Sequence, residues 1–395
     1  MRKPRNIVGP PVEGDDFYGR DRDLLRLWNE TQAQSLVLTA PRRVGKTSLL
    51  RGFVHHVRAN GGRAVYVDVQ GAASELGFVE RLVAALRAVP EGEVPRAVFR
   101  RMGNLIGRIE SFKAGVEIKL RDAEVAVWRR EGDELREILA AVAQARGVGW
   151  FILVDELPVL VKNLADLEEG ARRADQFLSW CRELRQLQTS AVPVRWVFCG
   201  SIGLVALTNR LGLTKTINDL AEFRLGPFED QTARDFLHAL ATTQQFTMDT
   251  ALADAVVLRT RWLIPHHLQI VFHELNARRE ARPPAERVAD AFAEAVRKRH
   301  YFEPWYERLD EELSAADARH ARAMLEVCAK DPGGVRFATL SGSIADEIAD
   351  ARSRQETVLR LVRALEEDGY VEASGDRWRF RSELLRSFWL WRYVP

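Results

Sequence analysis

The sequence predicts an α/β fold built on a mostly parallel sheet and followed by two further domains. Strand-like segments alternate with helix-like segments through the first 228 residues, which is typical of a sheet covered by helices on both faces. Residues 229–300 show only helical patterns, and residues 301–395 end in helices and a short hairpin. We therefore expect a core over residues 1–228, a helical domain over 229–300, and a linker helix with a small C-terminal domain over 301–395.

The strand candidates are short and strongly apolar. All but the last are continuous apolar runs rather than alternating patterns, which indicates burial on both faces. Helical periodicity lies between them, as in Leu135, Ile138, Leu139 and Val142. The candidates span residues 35–39, 64–69, 150–154, 194–199 and 222–225.

Residues 100–130 interrupt this rhythm. Apolar residues there alternate with more polar ones, which predicts a β-hairpin inserted into the core. The alternating residues are Phe112, Ala114, Val116, Ile118 and Leu120.

Composition excludes several classes of protein. The 395 residues are 46% hydrophobic and 29% charged, which indicates a globular, multidomain chain. The net charge of +2 gives no general attraction to nucleic acid or membranes. Three scattered cysteines argue against a disulfide framework. With no signal peptide and no apolar run of membrane-spanning length, we expect a cytoplasmic location and no membrane partner.

The strongest motif is a phosphate-binding loop. Residues 40–47 read A-P-R-R-V-G-K-T and fit G-x-x-x-x-G-K-[ST], with Ala40 replacing the first glycine. The motif joins a strand to a helix, where backbone N–H groups cradle phosphate. Gly45 allows close approach, Lys46 neutralises the β- and γ-phosphates, and Thr47 ligates Mg²⁺. The other expected nucleotide contacts are Pro41, Arg42, Arg43, Val44 and Ser48, although the two arginines equally fit solvated loop positions.

Two carboxylates follow the strand at residues 150–154. Charge at the end of a buried strand is costly unless a cation uses it. Asp155 is placed to hold Mg²⁺, and Glu156 to polarise the water that attacks the γ-phosphate. A guanine-specific N-K-x-D motif is missing from the sequence, so ATP is favoured over GTP.

A third polar strand end reads Cys199-Gly200-Ser201. The Ser201 hydroxyl is a candidate for orienting the attacking water or sensing the γ-phosphate. The alternative is an ordinary Gly-Ser turn that leads into a helix.

Taken together, these motifs resemble the archaeal-type ATPases of the AAA+/STAND-like P-loop NTPases. The resemblance covers nearly the whole chain and implies a helical lid followed by a winged-helix domain. It also implies that Val12, Tyr18 and Gly19 lie near the adenine and that Pro265 contacts the base, although Pro265 also suits an ordinary first helical turn. It rests on F-Y-G-R-D at 17–21, APRRVGKTSLL, FILVDELPVLV, C-G-S at 199–201, L-G-P-F at 225–228 and W-R-F-R-S-E-L-L-R-S-F-W at 378–389.

Oligomeric relatives supply an arginine to the γ-phosphate of a neighbouring subunit. The resemblance therefore makes a homo-oligomer one expectation, with Arg210, Lys215 and Arg195 as candidates for the donated cation. Each of them also fits a solvated surface position.

The C-terminal pattern predicts a winged helix. One helix carries an apolar face and stops at Gly369, and residues 371–380 read as a two-stranded wing. That helix would be the candidate for a DNA major groove. Its charges and those of the wing nearly balance, whereas DNA-binding faces are clearly basic. Double-stranded DNA and an unidentified protein partner both remain open.

The sequence therefore predicts an ATP-binding, Mg²⁺-dependent ATPase in which slow turnover between ATP and ADP switches a macromolecular partner. Two alternatives are a DNA-binding ATPase that loads on or remodels DNA, and a nucleotide-binding scaffold without turnover.

Overall fold

The computed structural model describes residues 2–90, 94–114, 121–144, 149–187, 194–200, 203–244, 246–278, 280 and 283–394. They form two compact units. The sheet unit comprises Asp21–Thr39 and Lys46–Leu225, and the lid unit comprises Met1–Arg20, Ala40–Gly45 and Gly226–Pro395. These units divide the chain differently from the predicted core, lid and C-terminal domain, so that division stays a proposal.

The sheet unit is built on five parallel strands, and the predicted α/β fold class is confirmed. Their spatial order is β2-β3-β4-β1-β5. Each predicted strand is present, with ends that differ by no more than one residue. The strands are β1 (Leu36–Thr39), β2 (Arg63–Asp68), β3 (Trp150–Asp155), β4 (Val194–Cys199) and β5 (Ala221–Arg224).

Helices cover the sheet, and both faces of β3 are buried. Ile152 and Val154 join the large apolar core, whereas the ring of Phe151 lies 5.5 Å from Trp28 and 5.8 Å from Phe53. Strand side chains alternate between faces, which explains the continuous apolar runs. The helices are α1 (Asp21–Ala33), α2 (Lys46–Ala59), α3 (Glu75–Arg87), α4 (Arg96–Ala114), α5 (Arg121–Gln144), α6 (Leu157–Ala165), α7 (Gly170–Arg185) and α8 (Leu204–Arg210).

The hairpin predicted within residues 100–130 is wrong for the described residues. Phe112 and Ala114 belong to α4, and α5 begins at residue 121. Helix α4 buries four side chains at helical spacing, a longer-range pattern that outweighs a short alternation. The four are Val98, Met102, Leu105 and Ile109. The other residues used for the hairpin, Val116, Ile118 and Leu120, lie outside the described residues.

The lid unit continues with helices, includes a small sheet near its C-terminal end, and closes with a last helix. The order of three helices and a hairpin from residue 315 onward is that of a winged helix, with strand order β6-β8-β7, all antiparallel. Its elements are α9 (Asp230–Thr243), α10 (Thr250–Thr260), α11 (Pro265–Ala277), α12 (Arg287–Arg297), α13 (Arg299–Glu312), α14 (Ala315–Lys330), β6 (Val335–Arg336), α15 (Phe337–Gly342), α16 (Ala351–Asp368), β7 (Val371–Ser374), β8 (Arg377–Phe380) and α17 (Glu383–Tyr393).

Within the described ranges, no helix combines the length and apolar character that crossing a bilayer requires.

Candidate functional site

In the sheet unit, the start of α2 meets the end of β3. Thr47 Oγ1 donates a hydrogen bond of 2.7 Å to Asp155 Oδ2. Asp155 is 2% exposed, and Lys46 and Ser48 are 9% and 8% exposed. Two segments that are more than 100 residues apart in sequence therefore bring a hydroxyl, an ammonium-bearing residue and a carboxylate into one buried region.

The Asp155 carboxylate accepts two further hydrogen bonds. The backbone N–H of Glu156 donates to Oδ1 at 3.1 Å, and the hydroxyl of Tyr66 donates to Oδ2 at 3.0 Å. Burial, followed by the charge of Asp155, raises the pKa of Tyr66, so its hydroxyl keeps the proton that it donates. Sequence reasoning missed Tyr66, because only the pairing of β2 with β3 places it beside Asp155.

Glu156 adopts a left-handed backbone conformation directly after β3. Its φ of +62° is uncommon for a residue other than glycine, and it forms the N-cap of α6. Such strain persists where the surrounding structure imposes it, often at functional sites. The turn sets the direction in which the Glu156 side chain leaves the strand.

The end of β4 packs against this turn. A Cβ added at Gly200 would lie 2.4 Å from Pro158 Cδ, so only glycine fits there. The neighbouring Cys199 is buried, and its pKa is raised well above the usual value by burial and then by the charge of Asp155. Its position places the end of β4 in the same region as Asp155. Ser201, the predicted sensor, lies outside the described residues.

The rest of the phosphate-binding motif, residues 40–45, belongs to the lid unit. Arg43 and Gly45 have positive φ angles of +65° and +104°. Left-handed residues of this kind occur in the concave N–H arrangements that bind anions. A Cβ added at Gly45 would meet no atom of the described residues within 4 Å, so the loop is open at this point. Val44 is fully buried.

Arg20 holds this loop from within the lid unit. Its Nη2 donates to the Val44 carbonyl oxygen at 2.9 Å, and its guanidinium lies 4.6 Å from the centre of the Phe228 ring. Arg20 is 4% exposed. Sequence reasoning used Arg20 only as part of the F-Y-G-R-D motif and missed this contact, because neither its burial nor its partner Val44, 24 residues away, can be read from the local sequence.

The two loop arginines also bind backbone carbonyls. Arg42 Nη1 donates to Pro304 O and Arg43 Nη1 to Gly9 O, each at 3.1 Å. Burial lowers the pKa of both guanidinium groups. Neither side chain is therefore a freely solvated loop residue. Next to them, a Cβ added at Gly369 would lie 2.6 Å from Pro41 Cβ.

Tyr18 and Gly19 pack against helix α9. A Cβ at Gly19, whose φ is +71°, would lie 2.7 Å from Thr232 Cγ2, and the Tyr18 ring lies 5.5 Å from Phe236. Val12 is half-buried in the same N-terminal segment. Contact of these residues with adenine stays a prediction.

Pro265 is the first residue of α11 and is half-buried. The pKa of the adjacent His266 is lowered well below its usual value, first by burial and then by the charges of His267 and Arg43. The start of α11 therefore lies near the loop arginines within the lid unit. The contact of Pro265 with the base stays a prediction.

The candidates for a cation donated to a neighbouring subunit have different environments. Arg195 donates to the carbonyls of Thr31 and Gln32, both at 3.1 Å, and thus satisfies the C-terminal end of α1. The Lys215 ammonium lies 3.4 Å from Asp175. Arg210 is exposed at the end of α8. Their role in an oligomer stays a prediction.

Most arginines of the winged-helix region lie next to acidic side chains. On α16 and its surroundings, the distances are 3.2 Å for Arg352 to Glu356 and 2.6 Å for Arg360 to Asp317. In the small sheet, Arg336 lies 3.0 Å from Asp376, Arg379 lies 2.9 Å from Glu372, and Arg377 lies 3.7 Å from Asp331. These five arginines therefore have acidic neighbours that would compete with DNA phosphates.

The residues at this site fit Mg²⁺. The Thr47 hydroxyl donates its one proton to Asp155, which leaves its oxygen lone pairs available to a cation. Among the described residues, no group of three or more His, Cys, Asp or Glu side chains could hold a metal by itself. Mg²⁺ characteristically takes one or two protein oxygens and completes its shell with phosphate and water.

No protein-family model and no curated protein matches this chain. Its structure is similar to that of a Walker-type ATPase from Pyrococcus abyssi, with a TM-score of 0.63 and 14% identity over 97% of this chain and 99% of that one. It is also similar to the ORC2 protein of Aeropyrum pernix in its ADPNP–ADP complexes, with a TM-score of 0.56 and 12% identity over 97% and 95% of the two chains. The chain therefore has the fold of the AAA+ P-loop NTPases.

Proposed function

We propose that this protein is an ATPase that binds Mg²⁺–ATP, hydrolyses it slowly, and uses its nucleotide state to control a protein partner. The observation that carries the proposal is the hydrogen bond between Thr47 and Asp155. It joins the phosphate-binding motif to the acidic strand end, which is the arrangement that places a metal ion beside the phosphates in P-loop NTPases.

The side chains divide the chemistry between them. Lys46 balances charge on the β- and γ-phosphates, and Thr47 and Asp155 hold the metal, directly or through water. Bound Mg²⁺ would neutralise charge that develops on the phosphates. Glu156 follows β3 in a left-handed backbone conformation, and its carboxylate orients the attacking water. The gain in rate comes from positioning and electrostatics, since phosphoryl transfer needs no covalent intermediate.

The switch part of the proposal rests on contacts of the loop with the C-terminal region. Arg42 donates to the Pro304 carbonyl in α13, and Pro41 packs against Gly369 at the end of α16. A nucleotide that alters residues 41 and 42 would change contacts with both helices. Nucleotide state can thus bias the conformation of the C-terminal region.

A protein partner is favoured over double-stranded DNA. Phosphate neutralisation by arginine and lysine supplies most non-specific DNA affinity. Here Arg352, Arg360 and the wing arginines already have acidic neighbours. DNA would have to displace these ion pairs.

Two variants test the ATPase. Lys46→Ala is expected to abolish binding of a fluorescent ATP analogue, because the phosphate charge loses its counter-ion. Glu156→Gln is expected to bind ATP as the wild type does but to release little or no phosphate. Both are measured by fluorescence titration and a phosphate-release assay in Mg²⁺.

Glu169→Gln is the matched control, because Glu169 is also a left-handed N-cap, with a φ of +54° at α7. It should keep wild-type turnover. Unimpaired turnover in Glu156→Gln would remove Glu156 from its role, and normal ATP binding by Lys46→Ala would refute the nucleotide site.

Titration of wild type with double-stranded DNA in ATP at low salt should show no binding; ATP-dependent, salt-sensitive binding would favour the DNA-loading alternative.

A further inference from the structure

Tyr66 lies in the environment of Asp155 and has no role in the proposed ATPase so far. Thr47 and Tyr66 both donate to the same oxygen, Oδ2, at 2.7 Å and 3.0 Å. The backbone N–H of Glu156 donates to the other oxygen, Oδ1. A carboxylate has about four lone-pair sites. The two hydroxyl groups therefore occupy the sites of Oδ2.

Tyr66 is well placed to fix the carboxylate. It lies on β2, which pairs with β3 in parallel register, and its neighbour in the register is Leu153. The guanidinium of Arg51 lies 5.2 Å from the centre of its ring. Strand pairing fixes the backbone, and the ring contact restricts the side chain. The position of the Tyr66 hydroxyl beside Asp155 is therefore fixed by its strand and by the ring contact.

The orientation of Asp155 decides the orientation of Thr47. The Thr47 hydroxyl has a single proton, and its direction sets where the two oxygen lone pairs point. A carboxylate held by Tyr66 keeps accepting that proton in one geometry. Loss of the Tyr66 bond would let the carboxylate turn more about its remaining bonds, and the Thr47 hydroxyl could then point its lone pairs away from a cation.

We propose that Tyr66 is a positioning residue for the magnesium site, acting through Asp155 on Thr47. The inference rests on the proposed function, since it concerns the metal that accompanies the nucleotide. It assigns to β2 a part in the metal site, in addition to α2 and β3. Groups that orient metal ligands in this way typically change metal affinity 10- to 100-fold when they are removed.

The test is Tyr66→Phe, which keeps the ring and removes only the hydroxyl. Metal affinity is measured by electron paramagnetic resonance of Mn²⁺ with saturating ADP. Affinity for a fluorescent ADP analogue is measured separately in EDTA. We expect about 10-fold weaker Mn²⁺ binding and unchanged affinity for the analogue in EDTA.

Tyr301→Phe is the matched control, because the Tyr301 hydroxyl also donates to a buried carboxylate, Glu274 Oε1, at 2.9 Å. It should leave Mn²⁺ binding unchanged. Wild-type Mn²⁺ affinity in Tyr66→Phe would overturn the inference and leave the proposed ATPase intact. An equal loss of metal-free nucleotide affinity would also overturn it, because it would show general damage. If the wild type bound no nucleotide, the inference and the proposed function would both fail.

Discussion

At the scale of single residues, Arg20 is a buried cation that contacts the backbone of the predicted phosphate-binding loop. Its bond to the Val44 carbonyl is buried, and its guanidinium lies against the Phe228 ring. Val44 lies between two residues with positive φ angles, Arg43 and Gly45. A hydrogen bond to its carbonyl therefore stabilises this uncommon loop conformation. We infer that Arg20 maintains the loop conformation.

We expect Arg20→Ala to weaken ATP binding by about 10-fold or more. The variant leaves the Val44 carbonyl without this donor, and a hydrogen bond to a charged group contributes about 1.5–3 kcal/mol. Isothermal titration calorimetry with ATP and Mg²⁺ measures the loss.

Arg26→Ala is the control for Arg20. Arg26 also combines a carbonyl bond, to Arg224 O at 2.5 Å, with a phenylalanine contact, to Phe223 at 4.0 Å. It should lower stability slightly and leave ATP affinity unchanged. An equal loss of affinity in both variants would contradict a specific role for Arg20.

At the scale of elements, the end of β4 and the start of α6 fit together through a glycine. Gly200 lies against Pro158, and Pro158 follows the left-handed Glu156 by two residues. A larger residue at position 200 would push α6 away and with it the turn that aims Glu156. The proline is stiff and cannot move aside as a flexible side chain would.

Gly200→Ala is expected to lower the free energy of unfolding by about 1–3 kcal/mol and to reduce ATP turnover more than ATP binding. Gly107→Ala is the control, because Gly107 lies in α4 and an added Cβ meets no atom of the described residues within 4 Å. That change should raise stability by about 1 kcal/mol. Urea unfolding measures stability, and phosphate release measures turnover. Wild-type stability and wild-type turnover in Gly200→Ala would contradict the tight fit.

At the scale of the whole molecule, three distant parts of the chain meet at Gly369 within the lid unit. A Cβ there would lie 2.6 Å from Pro41 of the phosphate-binding loop and 2.8 Å from Trp262, just before α11. Tyr370, the next residue, donates its hydroxyl to the Trp305 carbonyl at 2.6 Å. The end of α16 therefore contacts the loop and the segment between α10 and α11, and the next residue bonds to α13.

We expect Gly369→Ala to speed release of a fluorescent ADP analogue several-fold, because the added methyl group displaces Pro41 and loosens the loop. Stopped-flow displacement by excess ADP measures the rate. Gly375→Ala is the control: its φ of +64° carries similar backbone strain, but its Cβ would meet no atom within 4 Å in the part of the chain that the structure describes. Equal release rates in the two variants would contradict a link between α16 and nucleotide binding.

The sequence by itself determined the α/β class, the five strands and the order of motifs along the chain. These are local properties: apolar runs mark buried strands, and G-K-T after a strand marks a loop followed by a helix. The hairpin prediction failed because a short alternation near Phe112 cannot be distinguished from one face of a helix without its packing partners.

Tertiary structure alone decided which residues surround those motifs. Tyr66 reaches Asp155 because β2 pairs with β3, and Arg20 reaches Val44 because residues 1–20 pack with the loop. Strand order and long-range packing depend on how the elements assemble, and nothing in the local sequence around Tyr66 or Arg20 encodes the distant partner. The chemical groups of the candidate site could therefore be named in advance, whereas the groups that hold them in place could not.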